Sequence, residues 1–229
     1  MSDSPTMKTI AVIGGTGKEG KGLAYRWAKA GLRVLIGSRS PLKAEIVAKE
    51  LSDRLGYKAI IEGTSYQNAV QRSDIIALTV PYAAHREALD IIKGGMKGKI
   101  LIDVTVPLFP PKVTRVKMPP AGSAAQEALG ILGEEIQVTS AFQNISSEHL
   151  LQDVPVECDV LVTGTSKEAR TETLNLVAAA GLTGWDAGPI ENSAVVEGLT
   201  SILIGINKQY GSKSAGIQIT GVQAPAREP

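Results

Sequence analysis

The residues TIAVIGGTGKEG (Thr9–Gly20) carry the strongest structural signal in the chain. A short apolar stretch is followed directly by a glycine cluster, and a helix-like stretch then runs to Ala30. Gly15, Gly17 and Gly20 form the pattern GxGxxG. After a strand, the first glycine allows a tight turn, the second lets a pyrophosphate approach the backbone, and the third lets the helix pack closely. Because a helix N-terminus also offers free amides and a positive dipole, we predict a dinucleotide site here.

The same segment matches the beginning of another phosphate-binding motif. Gly15 to Lys21 satisfy GxxxxGK, the start of a P-loop. A P-loop continues with Ser or Thr, whose hydroxyl binds magnesium, whereas this chain has Gly22. The sequence therefore argues against a nucleoside triphosphatase.

Short β-branched stretches alternate with longer amphipathic ones through the first half of the chain. Such alternation requires crossover connections and predicts a parallel sheet with helices on both faces, a Rossmann-type doubly wound α/β fold. Beyond the helix that ends near Ala30, the predicted helices are Pro41–Leu55, Tyr66–Gln71 and Ala83–Ile92. The predicted strands are Thr9–Ile13, Arg33–Ile36, Lys58–Glu62, Asp74–Val80 and Ile100–Val104.

The proline-rich stretch Val106–Gly122 interrupts this alternation and predicts a loop. We expect a dinucleotide-binding domain over residues 1–145 and a smaller C-terminal α/β portion over 146–229. Helices are predicted at Ser123–Leu132, Lys167–Ala180 and Asn192–Gln209. Strands are predicted at Gln137–Phe142, Cys158–Thr163 and Gly184–Asp186, with a terminal strand or edge at Gly216–Gly221.

Composition excludes several classes of function. The 229 residues include 24 basic and 23 acidic side chains, a net charge of +1, which offers no field for nucleic acid or an anionic membrane. The longest apolar runs are far shorter than the ~20 residues of a membrane span. The start MSDSPTMKT does not resemble a signal peptide, so we expect a soluble cytoplasmic protein. One cysteine, Cys158, and two histidines leave little for a disulfide framework or a metal site.

The end of the second strand indicates which dinucleotide is bound. An NAD site places Asp or Glu here to bind the ribose 2′-hydroxyl. This chain instead has GSRSPLK, in which Ser38, Arg39 and Lys43 offer a hydroxyl and two cations. A carboxylate would repel a 2′-phosphate, whereas a guanidinium can pair with it. The pattern favours NADP over NAD.

Two further strand ends should border the ligand, because ligands lie beyond the carboxyl ends of parallel strands. The segment Thr79-Val80-Pro81-Tyr82 follows one strand, and Val106 follows another. We expect them beside the ribose and nicotinamide; the alternative is that the prolines only terminate strands.

No side chain stands out as a candidate acid or base for catalysis. His85 and His149 are interpreted as surface or capping residues and Cys158 as an inert core thiol.

Several segments together resemble the F420-dependent NADP oxidoreductase family, over about residues 7–222. The resembling segments are IGGTG at 13–17, GKGLA at 20–24, GSR at 37–39, KA at 43–44, TVP at 79–81, SAFQN at 140–144, AGP at 187–189 and EGLT at 197–200. The resemblance implies that Thr16, Lys18 and Glu19 line the pyrophosphate, together with Gly17. It also implies that residues around Ala141, with the C-terminal helix and the stretch near 217–221, form a deazaflavin pocket.

The implied chemistry fits the shortage of acid–base groups. Hydride passes directly between nicotinamide C4 and deazaflavin C5, so the protein needs only to stack the two rings at roughly 3–3.5 Å and exclude water. We accordingly predict no catalytic side chain, NADP and coenzyme F420 as the cofactors, and no metal. The charge-poor helix Ser193–Ile206 could cover the rings or form a dimer core, and we favour a homodimer.

Two alternatives remain open from the residues. One is an NADP-dependent reductase of another small substrate, such as a hydroxyacid or an imine. Such enzymes usually present a Lys, Asp or Tyr proton donor, and none is evident near the predicted nicotinamide site. The other is a non-catalytic NADP-binding sensor, which would keep the glycine loop and the Ser38–Lys43 segment without a second pocket.

Overall fold

One eight-stranded sheet forms the centre of the computed structural model, which describes residues 8–56, 59–152 and 154–223. The strand order is β3-β2-β1-β4-β5-β6-β7-β8. All neighbouring strands are parallel except β6 and β7, which are antiparallel. The strands are β1 Thr9–Ile13, β2 Arg33–Ser38, β3 Ile61–Ser65, β4 Ile75–Leu78, β5 Ile100–Asp103, β6 Gln137–Ser140, β7 Asp159–Gly164 and β8 Thr183–Pro189.

Helices cover both faces of this sheet. They are α1 Lys18–Lys29, α2 Pro41–Leu55, α3 Tyr66–Gln71, α4 His85–Ile92, α5 Ala124–Leu132, α6 Ser147–Leu150, α7 Lys167–Ala179 and α8 Ser193–Tyr210. Apolar side chains of α1, α2 and α7 share one core cluster with Ile10 and Val12 of β1. Those of α3, α4 and α5 share the other with Ala11 and Ile13. Successive strand residues thus point to opposite buried faces, as expected of a central parallel strand.

The sequence marks where several helices begin and end. Pro41 stands in the first turn of α2, where its missing N–H costs nothing. Ser123 and Ser166 cap α5 and α7, because their hydroxyls accept hydrogen bonds from the backbone N–H three residues later. Gly211 ends α8 in the left-handed conformation at φ +66°.

The predicted Rossmann-type fold is confirmed, with local corrections. The third strand is Ile61–Ser65, later than the predicted Lys58–Glu62, of which Lys58 lies outside the described residues. Pairing of Val34 with Ile61 and Ser38 with Ser65 sets this register. Gly63 meets the backbone of α2, since an added Cβ would lie 2.2 Å from the carbonyl carbon of Ala44.

The predicted terminal strand Gly216–Gly221 is wrong. Within the described residues this segment forms no strand; it runs beside the start of β7, where Asp159 N–H donates to the Ile217 carbonyl at 2.8 Å. The next amide, of Ile219, donates instead to the Asp159 carboxylate at 2.8 Å. Because a side chain takes the place of a strand carbonyl, no ladder continues. Similarly, β6 ends at Ser140 rather than Phe142, whose backbone turns to φ +74°.

The arrangement of the strands brings several loops together at one edge of the sheet. The carboxyl ends of β1, β2, β4, β5 and β6 lie at the same edge of the sheet. The sheet is continuous across residue 145, so β7 and β8 extend it rather than form a separate sheet.

Among the described helices none is long and apolar enough to cross a membrane. Cys158 is buried and free, and burial raises the pKa of its thiol.

Candidate active site

A cleft of about 1120 Å³ opens at the carboxyl edge of the parallel strands. Its wall comes from the loops after β1, β2, β4, β5 and β6 and from the C-terminal half of α8. It brings together twelve of the residues predicted from the sequence: Thr16, Gly17, Lys18, Glu19, Ser38, Arg39, Lys43, Thr79, Val80, Pro81, Tyr82 and Val106. The other two, Gly15 and Ala141, are buried and do not line it.

The glycines of the loop after β1 have different structural roles: one allows the turn, one keeps the backbone accessible, and one lets α1 pack closely. The left-handed conformation falls on Gly14, at φ +83°, rather than on Gly15. Gly17 caps α1 in an extended conformation, and an added Cβ would meet only the Gly14 carbonyl oxygen, at 3.4 Å. At Gly20 an added Cβ would lie 2.3 Å from Thr79 Oγ1 and 2.8 Å from Gly15 Cα. Gly17 therefore leaves the backbone accessible from the cleft, while Gly20 lets α1 pack on the neighbouring strand end.

Glu19, in the first turn of α1, is an unusual member of this loop. Its side chain lines the cleft, and its Oε1 is enclosed without a hydrogen-bond partner among the described residues. Burial raises the pKa of its carboxyl to about 8. A carboxyl group that is largely protonated near neutral pH can stand beside phosphates without repelling them.

The end of β2 forms a cationic corner of the cleft. Ser38 is buried, and its hydroxyl accepts a hydrogen bond from Ser40 N–H at 3.2 Å. Arg39 is exposed, and its Nη1 lies 3.7 Å from Oε2 of the equally exposed Glu87. Lys43, in the first turn of α2, lines the same corner. Because an ion pair between exposed groups contributes little, both cations can turn to a ligand phosphate.

The ends of β4 and β5 form the middle of the cleft. Thr79 Oγ1 donates to the carbonyl of Ile13 at 2.9 Å, which ties this strand end to β1. Thr105 Oγ1 donates to the carbonyl of Val80 at 3.3 Å, which ties β5 to β4. Val80 and Val106 add apolar surface between these ties. The wall is a fixed, mostly apolar shelf, as stacked aromatic rings would require.

Behind this shelf lies a buried polar network that the sequence analysis missed. His85 is fully buried, which corrects its interpretation as a surface or capping residue. Its Nε2 lies 2.7 Å from Asp103 Oδ2, and its Nδ1 lies 3.5 Å from Glu127 Oε1. Burial opposes protonation, but the carboxylates of Asp103 and Glu127 outweigh it and raise the pKa of His85.

The network reaches the cleft through Tyr82. Its hydroxyl donates to Glu127 Oε2 at 3.0 Å, and its ring stacks on His85 with centroids 5.9 Å apart. Burial, together with Glu127 and Glu197, raises the pKa of Tyr82 to about 12. The phenol therefore remains a hydrogen-bond donor, and its position in the wall depends on residues behind it.

A second buried carboxyl joins α8 to the N-terminus of α5. Glu197 accepts hydrogen bonds from Ala124 N–H at 2.7 Å and Ala125 N–H at 3.1 Å. Burial, and the nearby Asp103, raise the pKa of Glu197 to about 8. Beside it, the hydroxyls of Ser123 and Ser193 lie 2.6 Å apart. These contacts fix the helix that closes the far side of the cleft.

The loop after β6 supplies two amide side chains to the far end of the cleft. Gln143 Nε2 donates to the carbonyl of Asp103 at 2.7 Å, and Asn144 Nδ2 donates to the carbonyl of Val196 at 3.0 Å. Both residues line the cleft, yet their side-chain oxygens are buried without a partner in the described part of the chain. Unpaired buried acceptors are costly and point to a donor supplied by a ligand. Ala141, in the same loop, is fully buried.

In the described ranges, no group of three or more His, Cys, Asp or Glu side chains could hold a metal ion. His149 is half-buried in the last turn of α6, and its carbonyl accepts a hydrogen bond from Arg26.

Comparisons with known proteins agree with this geometry. Residues 9–107 match the family model described as NADP oxidoreductase coenzyme F420-dependent. The chain is 39% identical to an F420-dependent NADP reductase of Methanocaldococcus jannaschii, over 93% of this chain and 99% of that protein. It is 37% identical to one of Methanothermobacter thermautotrophicus, over 93% and 95%. A crystal structure of a candidate F420-dependent NADP reductase from Arthrobacter sp. FB24 superposes with a TM-score of 0.75 at 21% identity, over 93% and 99% of the two chains.

The archaeal relatives exceed 30% identity over nearly their whole length, and the matched region contains the glycine loop and the cationic corner. This chain therefore belongs to the F420-dependent NADP oxidoreductase family.

Proposed function

We propose that the protein is an oxidoreductase that transfers a hydride between NADP(H) and coenzyme F420. The observation that carries the proposal is a single cleft with the cationic corner at one end and, at the other, a part lined by the loop after β6 and by α8, which we call the far compartment. Its volume of about 1120 Å³ exceeds the roughly 300–1,000 Å³ of common single-ligand pockets. The reaction is NADPH + F420 + H⁺ → NADP⁺ + reduced F420, and it is reversible.

Residues of the first half would hold NADP(H). The open backbone at Gly17 would face the pyrophosphate, and Ser38, Arg39 and Lys43 would take the 2′-phosphate. The nicotinamide would lie on the shelf formed by Val80 and its neighbours. Charge-assisted hydrogen bonds from a guanidinium are well suited to a phosphate, so specificity for NADP over NAD would arise at Arg39.

The far compartment would hold the deazaflavin. Its wall includes Val106, Phe142 and Leu203, which are apolar, and the amides of Gln143 and Asn144. The pyrimidine ring of a deazaflavin carries an N–H that could satisfy one of the two unpaired amide oxygens. The residues present therefore fit a flat, largely apolar ring with a polar edge.

With both molecules bound, nicotinamide C4 and deazaflavin C5 supply the redox chemistry, and the reduced deazaflavin takes up one proton. The protein's part is to align the rings and exclude water, for which the ties of Thr79 and Thr105 keep the shelf rigid. In this proposal no side chain takes part in the hydride transfer itself.

Mixing the purified protein with NADPH and F420 tests the proposal. We expect the visible absorbance of oxidised F420 to disappear together with the NADPH, and NADH to be a poor replacement. Tight NADPH binding without any loss of this absorbance would contradict the proposal. Reduction of an imine or keto acid in its place would favour a different reductase, whereas no turnover would favour a sensor.

We further propose that the enzyme acts as a homodimer through α8. Val195, Ile202, Ile206 and Tyr210 are between 40% and 73% exposed. Their spacing of seven, four and four residues puts them on one face of the helix. An exposed apolar stripe of this length is typical of a subunit interface. The cytoplasmic location expected from the sequence stays a prediction.

A further inference from the structure

A second hollow of about 410 Å³ lies beside the cleft, in the loop between β5 and α5. Residues 109–112 and 115–117 line it, and we call it the basic hollow. Pro110 lines both the basic hollow and the cleft, so the two spaces are neighbours. Leu108 and Val113, from the same loop, also line the cleft. The loop is thus both a wall of the far compartment and the floor of a separate hollow.

The charge of this loop differs from that of the chain. Residues 106–122 contain Lys112, Arg115 and Lys117 and no Asp or Glu, a net +3, whereas the whole chain has +1. All three side chains are exposed, and none forms an ion pair or a side-chain hydrogen bond with any residue that the structure describes. Lys117 Nζ lies 4.4 Å from the centre of the Phe109 ring. Three cations around one hollow, none with a carboxylate partner among the described residues, indicate an anionic ligand.

The loop is held in place on both sides. On one side, the Phe109 ring packs edge-on against Tyr82 with centroids 5.3 Å apart. On the other, Gly198 of α8 lets Val116 approach, since an added Cβ would lie 3.3 Å from Val116 Cγ1. Within the loop, Lys112 N–H donates to the carbonyl of Phe109 at 3.1 Å and Arg115 N–H to that of Lys112 at 3.1 Å. The cations are therefore presented by a defined turn rather than scattered over a surface.

The position of the basic hollow excludes the NADP phosphates as its ligand. The cationic corner follows β2, whereas the loop of the hollow follows β5, three strands away in the order β2-β1-β4-β5. The 2′-phosphate and the pyrophosphate already have sites at that corner and at the glycine loop. Because Pro110 lines both spaces, the hollow is instead placed to meet an anionic group of the molecule in the far compartment.

We propose that the basic hollow binds the anionic tail of coenzyme F420, an inference that rests on the proposed function. Beyond its ribityl deazaflavin, F420 carries a phosphodiester to lactate followed by glutamate carboxylates. A tail leaving the far compartment past Pro110 would meet Lys112, Arg115 and Lys117 in succession. Guanidinium and ammonium groups suit phosphodiesters and carboxylates alike.

The test compares F420 with the tail-free ribityl deazaflavin, using the fluorescence of the deazaflavin itself to measure Kd. Three proteins are titrated at low and at high salt: the native chain, the variant K112Q/R115Q/K117Q, and the control K93Q/K97Q/K167Q. The control removes the same charge from exposed lysines at the opposite edge of the sheet, next to the ends of α4 and β7. NADPH binding is measured in parallel.

We expect the native protein to bind F420 more tightly than the tail-free compound, and salt to reduce this preference. Since an exposed ion pair contributes a factor of a few, the loop variant should bind F420 about tenfold more weakly. Its affinities for the tail-free compound and for NADPH should stay within about twofold of the native values, and the control should resemble the native protein.

Equal affinity of the native protein for both deazaflavins would overturn the inference, as would an equal loss for all three ligands in the loop variant. If NADPH still reduced both deazaflavins in that case, the proposed function would stand and only the basic hollow would be misassigned. If neither deazaflavin were bound, both proposals would fall together.

Discussion

Arg39 is the side chain on which cofactor preference should depend. Replacing it by Glu exchanges an attraction to the 2′-phosphate for a repulsion, and should lower the NADPH/NADH preference by about 2 kcal/mol, roughly 30-fold. The ratio of kcat/KM for the two nucleotides measures this. Glu87→Gln is the matched control, since it removes the carboxylate that lies 3.7 Å from Arg39 and should leave the preference intact. An unchanged ratio in Arg39→Glu would mean that the 2′-phosphate binds elsewhere.

Gly17 and Gly20 should respond differently to the same substitution. Gly17→Val should lose NADPH binding, because its side chain would fill the space that the pyrophosphate needs, while the melting temperature changes little. Gly20→Val should instead destabilise the fold, by about 1–3 kcal/mol, because its Cβ would overlap Thr79 and Gly15. Thermal unfolding and NADPH titration of both variants separate the two effects. Intact NADPH binding in Gly17→Val would refute the role given to the open backbone.

The raised pKa of Glu19 predicts a pH dependence of NADPH binding. As the pH rises through about 8 the carboxyl ionises and faces the phosphates, so the Kd for NADPH should increase between pH 7 and 9. Glu19→Gln cannot ionise and should flatten this increase. In Glu148→Gln the increase should persist, because the hydrogen bond from Lys18 lowers the pKa of Glu148 and that group is already ionised at pH 7. A native Kd that is constant over this range would contradict the prediction.

Sequence reasoning found the residues that follow a strand directly and missed those whose partners are distant. The glycine loop and Ser38–Lys43 follow β1 and β2, so local pattern and topology were sufficient to place them. His85, at the start of α4, has its buried partner Asp103 at the end of β5, and the partners of Glu197 are backbone N–H groups at the N-terminus of α5. The sequence nevertheless contains a sign of both buried carboxyls. Asp103 interrupts the apolar run ILIDVTV, and Glu197 is the only charged residue in the helical stretch Ser193–Ile206.

The carboxyl of Glu197 joins α8 to the first turn of α5. Glu197→Ala would leave two buried N–H groups of α5 unpaired and should lower the free energy of unfolding by about 2 kcal/mol or more. Glu197→Gln retains one acceptor and should cost less. Chemical denaturation of both variants measures the difference. Equal stability of Glu197→Ala and the native chain would show that these hydrogen bonds contribute nothing.

Glu197 also gives this helix pair a pH dependence of defined sign. Its folded-state pKa of about 8 lies above the usual value of 4.5, so the unfolded state releases its proton first. The stability contributed by the group is complete below about pH 4.5 and is lost as the pH rises through 8. The stability of Glu197→Gln should therefore fall less between pH 7 and 9 than that of the native protein.

Strand prediction succeeded for β1, where burial on both faces imposes a continuous apolar pattern, whereas for β4 the predicted Asp74–Val80 is longer than the observed Ile75–Leu78. It failed at the edges. The sequence of β3 is IEGTS, which is half exposed and contains a glycine, so only its pairing with β2 sets its limits. The terminal segment has an apolar and polar alternation like that of a strand, yet its amide at Ile219 pairs with a side chain.

For the whole molecule, the exposed face of α8 predicts a dimer. Ile202→Glu with Ile206→Glu would place two charges in the apolar stripe and should convert the native dimer to a monomer, measured by sedimentation. The melting temperature of the separated subunit then reports whether it folds alone. Ile46→Glu, at an exposed apolar residue of α2, is the control and should stay dimeric. A native protein that sediments as a monomer at micromolar concentration would contradict the prediction.

The direction of β7, which is opposite to that of β6, brings the segment after α8 to the cleft. Since β7 runs antiparallel to β6 and begins where β6 ends, Asp159 can hold Ile217 and Ile219 at the carboxyl edge of the parallel strands, where Ser212, Lys213 and Ala215 line the cleft. Shortening the chain at Gly211 would remove none of the helices and strands named above, yet it would take away the part of the cleft wall that Ser212, Lys213 and Ala215 form. The segment that follows α8 is therefore a structural part of the cleft, although it contains no helix or strand of its own.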